Sequence, residues 1–251
     1  MSDELRVYRQ NWPGRDWRRA CLAGIALTLA FPLLLLLVSV AGCRAPPTPR
    51  PEAVTPVGAA GAALFRLDAE ASQIWLYLHA DGPLSRVGHD HVITTHGLQG
   101  SVWLHPQLER SSCEFQLPVA TLVVDDAQER AAAGDEFSEP LDAEARAGTR
   151  EHMLGDSQLA AARYPLVTLR CRRLTPTAAG VTVELTVTLR DRASQLAVPA
   201  SWQRAGNTLQ ASGEFSFRQT ALGLEPYSLL FGALRVADEI RARFLLVARH
   251  D

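Results

Sequence analysis

Between Ser85 and Gly97 the sequence reads SRVGHDHVITTHG, which places three histidines and an aspartate within thirteen residues of a chain with seven histidines in 251. Three kinds of chemistry could use such a cluster. In an extended strand His89 and His91 point to the same side. With a third donor from His96, His79 or Asp90, they could bind zinc or copper. The same imidazoles, with Arg86 beside them, could meet the polar headgroup of a small ligand. Alternatively, the segment is rich in turns and its polar side chains bond nearby backbone groups. No glutamate stands at a catalytic offset from the pair and no Cys-x-x-Cys accompanies it. The expected role is therefore polar trim at the edge of a larger structure. Headgroup contact comes next, and a metal held by His89, His91 and His96 is the remaining alternative.

A second candidate is Arg150 with His152, at the base of a stretch that reads as helical. Such an arginine could hold a phosphate or quinone oxygen, or pair with Glu151, Asp156 or Asp142. The simpler expectation is the pairing, with Arg150 kept as a headgroup candidate beside Arg86, His89 and His91. No nucleophile elbow, spaced carboxylate pair or Ser/His/Asp ordering stands out. The chain reads as a binding protein, not an enzyme.

What positions these residues begins with the front of the chain. Residues 20–42 carry no charge and follow Arg18 and Arg19, the pattern of an export signal. The run is long enough for a bilayer span, but Pro32 interrupts it as a permanent helix. Val40-Ala41-Gly42-Cys43 resembles a lipobox, in which cleavage precedes the cysteine and the cysteine is acylated. A Pro-rich stretch follows, the composition of an extended tether. The expected organisation is a lipoprotein signal over residues 1–42, a tether over 43–62 anchored to a membrane through acylated Cys43, and one domain over 63–251. Arg44 after the cysteine fits passage to an outer membrane, on the periplasmic side. Residues 43–251 hold 20 arginines and 24 acidic residues, and the chain has no lysine. That balance argues against a nucleic-acid partner and leaves a homodimer open.

From residue 63 the hydrophobic period is two. Val181, Val183, Leu185, Val187 and Leu189 alternate with polar residues, as do Leu209, Ala211, Gly213, Phe215 and Phe217. Ile240, Ala242, Phe244 and Leu246 face away from Arg241 and Arg243. Cys113, Phe115 and Leu117, then Val167, Leu169 and Cys171, add two more strands. QIWLYLH, which includes Leu76 and Leu78, is apolar on both faces and is expected to be covered on its outside. Eight or nine strands with one dry face predict an all-β antiparallel sheet that closes on itself or splits in two. Residues 126–165, rich in Ala, Glu and Arg and broken by Pro140, read as a helical insertion. In an oxidising compartment Cys113 and Cys171 could be bridged; two buried free thiols are the expected state.

The segment TREHMLGDSQLAAARYPLVTLRCRRL resembles the signature of the YceI-like family: Arg150, Glu151, His152 and Leu154, then Tyr164, Pro165 and Thr168. SSCEFQLPVATLVVDD, VTVELTVTLRD, ASGEFSFRQTALGL and VADEIRARFLLVA are similar to its other strands, in the family's order, over residues 64–249. The resemblance implies a lipocalin-like barrel of about eight strands, exported, that binds a polyisoprenoid or similar amphiphilic lipid in its lumen. Here His79 and Ser85-Arg86-Val87-Gly88 fit the family's opening stretch, and His89-Asp90-His91 departs from it. The pattern alone leaves a filled core and a hollow one equally open. The resemblance favours the hollow, lined by Leu76, Leu78, Phe115, Leu117, Leu169, Val183, Leu185, Val187, Phe215, Phe217 and Phe244. An isoprenoid lipid or quinone is the ligand it implies.

Overall fold

A computed structural model describes residues 58–250; the expected signal, Cys43 and most of the tether lie outside them. The strands in chain order are β1 (Ala63–Leu67), β2 (Gln73–Leu78), β3 (Ala80–Asp81), β4 (His91–Thr95), β5 (Gln99–Leu104), β6 (Ser112–Pro118) and β7 (Val123–Val124). Two helices follow, α1 (Ala127–Ala133) and α2 (Ala143–Leu154). The second half holds β8 (Leu166–Thr177), β9 (Gly180–Leu189), β10 (Arg192–Ala205), β11 (Thr208–Arg218), β12 (Ser228–Leu229), β13 (Leu234–Val236) and β14 (Glu239–Arg249).

The main sheet runs β1-β5-β6-β8-β9-β10-β11-β14-β2-β4-β7, all antiparallel, and β14 also pairs with β1. Both β1 and β2 lie along the same edge of β14: Arg66 and Leu67 face Arg249 and Ala248, while Gln73 to Tyr77 face Leu245 to Arg241. They are therefore one ribbon with a break at residues 68–72. The pairings of β5 with β1 and of β4 with β2 make β4 and β5 a second broken ribbon, and β6 with β7 a third. Counted as ribbons, the sheet is an eight-stranded up-and-down barrel in simple chain order. Closure leaves no long free edge to pair with another chain.

The three breaks sit side by side and are stitched by polar contacts. His96 Nδ1 bonds the Ser72 carbonyl at 2.7 Å, and Ser72 Oγ accepts from the Val247 amide at 2.9 Å. Thr95 and Thr121 hydroxyls meet at 2.9 Å, and Thr121 donates to the Pro118 carbonyl. Gly97 is required here, because a Cβ would stand 2.0 Å from Thr121 Oγ1.

The insertion reads as expected between β7 and β8, with each helix started by an aspartate. Asp126 accepts from the Gln128 and Glu129 amides and Asp142 from the Ala145 amide, satisfying donors that a helix start leaves open. α1 and the turn after it cover the outer face of β2, which is why that strand is apolar on both sides. Trp75 Nε1 and Gln73 Nε2 both donate to Glu129 at 2.7 Å, and Phe137 packs on Tyr77 with ring centres 5.5 Å apart. Phe137 is fully buried, which stabilises the covering by roughly 3 kcal/mol. Arg243 and Arg241 lie over the Trp75 and Tyr77 rings.

Cys113 and Cys171 form a disulfide, which corrects the expectation of two free thiols. The two face each other directly in the register of β6 against β8, with Cα atoms 4.9 Å apart. That separation lies within the range a bridge spans without moving the backbone.

Candidate functional site

Inside the barrel is a cavity of about 490 Å³, within the range of small-molecule sites. The inward faces of the strands line it: Leu76 and Leu78 on β2, Phe115 and Leu117 on β6, Leu169 on β8, Val183, Leu185 and Val187 on β9, Phe215 and Phe217 on β11, and Phe244 on β14. The residues expected to line a lumen, on the resemblance, thus stand on the cavity wall. Small residues keep it open. Ala211 and Ala242 are on the wall, and a Cβ on Gly213 would meet the Phe244 ring at 2.8 Å and the Pro199 carbonyl at 2.4 Å.

One end of the cavity carries the polar groups His91, Thr149, His152, Gln158, Gln219 and Tyr227. Most are engaged with the protein itself. Gln158 donates to the Glu225 carbonyl and Gln219 to the Ala237 carbonyl, both below 3 Å. The Thr149 hydroxyl donates to the Ala145 carbonyl one turn back along α2. His152 stacks on Tyr227, ring centres 4.7 Å apart, with its Nε2 at 3.5 Å from the phenolic oxygen.

His91 differs from them. It opens β4, and its Nδ1 lies 2.6 Å from Oδ2 of Asp125, a residue with no exposed surface. Asp125 Oδ1 accepts from the Val92 amide at 2.8 Å and from Arg130 Nη1 at 2.7 Å. Burial works against the charged carboxylate. The hydrogen bonds from His91 and the Val92 amide, together with the Arg130 guanidinium, outweigh it and hold Asp125 below the usual carboxylate range. The backbone of Asp125 is left-handed (φ 53°), a conformation aspartate tolerates better than most residues. Arg130 also donates to the Asp90 carbonyl at 2.6 Å and to the Glu139 carbonyl at 2.9 Å.

An ionised carboxylate only accepts, so His91 Nδ1 carries the proton of this bond and Nε2 is left without a partner in the protein. Among the described residues the buried side-chain atom lacking a partner is Arg241 Nε. His91 Nε2 is therefore accessible, on a residue of the cavity wall.

The rest of the histidine cluster is dispersed. His89 is exposed, 3.5 Å from Glu139. His96 belongs to the stitched breaks. Asp90 holds the His79 ring at 3.0 Å and the Ala80 amide at 2.8 Å. With their Nδ1 atoms committed to three separate partners, His89, His91 and His96 do not converge, and no group of three metal-capable side chains exists among the described residues. This corrects the metal alternative.

Arg150 also departs from expectation as a headgroup residue and as the partner of a nearby acid. It donates to the Leu122 carbonyl at 2.7 Å and the Ala120 carbonyl at 2.9 Å, fastening α2 to the break between β6 and β7. Arg86 lies in the exposed turn Ser85–Val87 and, like His89, is not on the cavity wall. Of the four mouth candidates, His91 alone lines the cavity. Sequence reasoning missed Tyr227, Gln158 and Gln219 on that wall. It weighed His152 only as a neighbour of Arg150.

At the same end, Ser228–Leu229 pairs with β13 and β13 with β3 in a small separate sheet. Its tip holds Leu230 and Phe231 with positive φ, 51° and 57°, and the Phe231 ring is fully exposed.

The sequence profile of the YceI-like domain matches residues 65–248. The chain belongs to the YceI-like family. The YceI-like fold is also found among solved structures. The crystal structure of Burkholderia cenocepacia BcnA matches with a TM-score of 0.52 at 16% identity, over 72% of this chain and 98% of that one. A polyisoprenoid binding domain from Saccharophagus degradans matches with a TM-score of 0.49 at 12% identity, over 76% and 99%. A Campylobacter jejuni YceI protein gives 0.46 at 9%, over 63% and 84%. No curated protein sequence matches the chain.

Proposed function

We propose that this YceI-like domain is a carrier that holds the apolar tail of an isoprenoid lipid or quinone inside its barrel, on the periplasmic side of a membrane to which Cys43 tethers it. The observation that carries the reading is the cavity, whose wall is almost wholly aliphatic and aromatic along the length of the strands. Burying some fifteen carbons there would release on the order of 10 kcal/mol before entropic costs, so one polar contact is enough to orient the guest. The disulfide supports an oxidising compartment. The lipobox-like Val40-Ala41-Gly42-Cys43 and the Pro-rich stretch behind it support tethering.

The test is native mass spectrometry of the protein purified from its parent membrane, beside a Leu185→Trp variant whose indole fills the lumen. The expected result is a lipid adduct on the wild type that is lost in the variant. An adduct retained unchanged in a folded Leu185→Trp protein would place the guest elsewhere, and no adduct from membrane-grown protein would remove the function.

A further inference from the structure

Eight large hydrophobic residues are exposed among the described ones, and five of them share two loops at the polar end of the cavity. Leu84 and Val87 stand in one loop, Leu229, Leu230 and Phe231 in the other. We infer that the two loops form a tip that docks into the headgroup region of an anionic lipid bilayer, turning the polar end of the cavity toward the membrane. Only the purpose of the contact, handing a lipid to or from the lumen, rests on the carrier reading.

The two loops are one structure. β3 pairs with β13, Asp81 facing Arg235 and Ala80 facing Val236. The Leu84 amide donates to the Ala233 carbonyl at 2.9 Å. A Cβ on Gly82 (φ 94°) would stand 2.6 Å from that same oxygen, so glycine is what lets the loops close on each other. Tyr227 and Val236, at the root of the second loop, belong to the cavity wall and fix the tip to that end. At its apex Leu230 and Phe231 are both held in the left-handed region, a costly conformation for bulky residues. The strain turns an aromatic ring away from the protein, where it adds nothing to folding. Apolar surface presented in this way marks a contact with something else.

Charge selects the bilayer as that partner. In a chain of net charge −2, residues 82–88 and 228–234 contain one arginine, Arg86, and no acidic residue. Below them Asp81 and Arg235 neutralise each other at 2.7 Å. Arg86 is exposed and has no partner among the described residues. Apolar side chains around an unpaired cation match acyl chains beneath anionic phosphates. The length of the tether agrees. The β1–β2 ribbon runs from Ala63 to Leu78, which leads into β3, so residue 63 lies at the end of the barrel away from the tip. Residues 43–57, at roughly 3.1 Å per residue for a Pro-rich chain, reach about 45 Å. β14, with 11 residues, spans about 35 Å. The tether can therefore pass the whole barrel, and a tethered domain needs a small patch to dock because the contact is intramolecular.

The test uses the full chain, purified from its parent membrane and reconstituted into vesicles of phosphatidylethanolamine and phosphatidylglycerol with doxyl-labelled acyl chains. A bimane fluorophore is placed on Val87→Cys at the tip or on Gln195→Cys on the outer wall of β10. The expected result is quenching severalfold stronger at position 87 than at 195. Phe231→Ser, which removes a ring that packs on nothing, brings position 87 down to the level of 195. Arg86→Ala, or vesicles of phosphatidylcholine alone, lowers the docked-to-free ratio about fivefold, the effect of one arginine at an anionic surface. Equal quenching at the two positions in the wild type overturns the docking. Strong quenching that survives both Phe231→Ser and Arg86→Ala overturns it as well, because the tether alone would then hold the barrel close. A bimane unquenched in vesicles but shielded from iodide in the parent membrane would place the tip on a protein, and the inference fails. The lipid adduct is read separately by native mass spectrometry: its absence beside strong quenching at position 87 removes the carrier and leaves the docking tip standing.

Discussion

His91 at the head of β4 and Asp125 just past the end of β7 meet at 2.6 Å, the imidazole on the cavity wall and the carboxylate sealed from solvent. Asp125 serves three donors at once, and one of them is a buried arginine. Asp125→Ala strands Arg130 without its counter-charge, and breaking one side of a buried pair costs about 3–5 kcal/mol. Urea unfolding of the variant checks this; a loss under about 1 kcal/mol would mean that water replaces the carboxylate freely.

The same carboxylate sets an acid limit. Asp125 is held below the ordinary carboxylate range in the folded protein, so on acidification the unfolded chain takes up the proton first. Its contribution is complete above about pH 4 and is lost as pH falls through the folded value. Thermal melts between neutral and strongly acidic pH should show a steeper acid decline in the wild type than in Asp125→Asn.

Reducing the bridge between Cys113 and Cys171 opens a loop with a sequence separation of 58. On the chain-entropy account the loss is about 4 kcal/mol. The Cys113→Ala, Cys171→Ala protein should unfold at lower denaturant in oxidising and reducing buffer alike, while the wild type loses stability only with reductant. Equal midpoints for the wild type in both buffers would count against a bridge.

Arg150 fastens helix to barrel and does not itself line the cavity. Arg150→Ala is expected to cost about 1–3 kcal/mol through the two orphaned carbonyls, with no change in the lipid adduct of the protein that remains folded. A selective loss of the adduct at unchanged stability would return Arg150 to the headgroup.

Phe231 has left-handed backbone (φ 57°) and a fully exposed ring. A bulky residue in that conformation stores about 1–3 kcal/mol. Phe231→Gly should therefore raise the melting temperature of the isolated domain slightly, despite removing an aromatic side chain.

The barrel was legible in the sequence where strands are wet on one side. Val181 to Leu189 and Ile240 to Leu246 alternate because water touches every second residue, and those positions face the cavity. β4 was hidden for the opposite reason. Val92, Ile93, Thr94 and Thr95 are all buried, since the α1 region covers one face and the lumen lies on the other, so the period of two disappears. The role of Arg150 was out of reach because its partners, the carbonyls of Ala120 and Leu122, have no signature in side-chain letters. The bridge depended on β6 and β8 register, which only the folded sheet supplies. Asp125 is one of two adjacent acids in the sequence, and nothing there separates it from Asp126; its burial follows from a left-handed backbone that turns the carboxylate back toward β4.

The breaks in the three early ribbons give the wall two characters. The later strands run as unbroken staves of ten residues or more, while the opposite side is jointed at a single height and latched by a few hydroxyls and one imidazole. A vessel made this way is expected to open first along its hinged flank. Amide protons near Ser72, Gly97 and Thr121 should exchange with solvent well before those of β9 and β10, and that is the side through which a long, limp guest would be threaded.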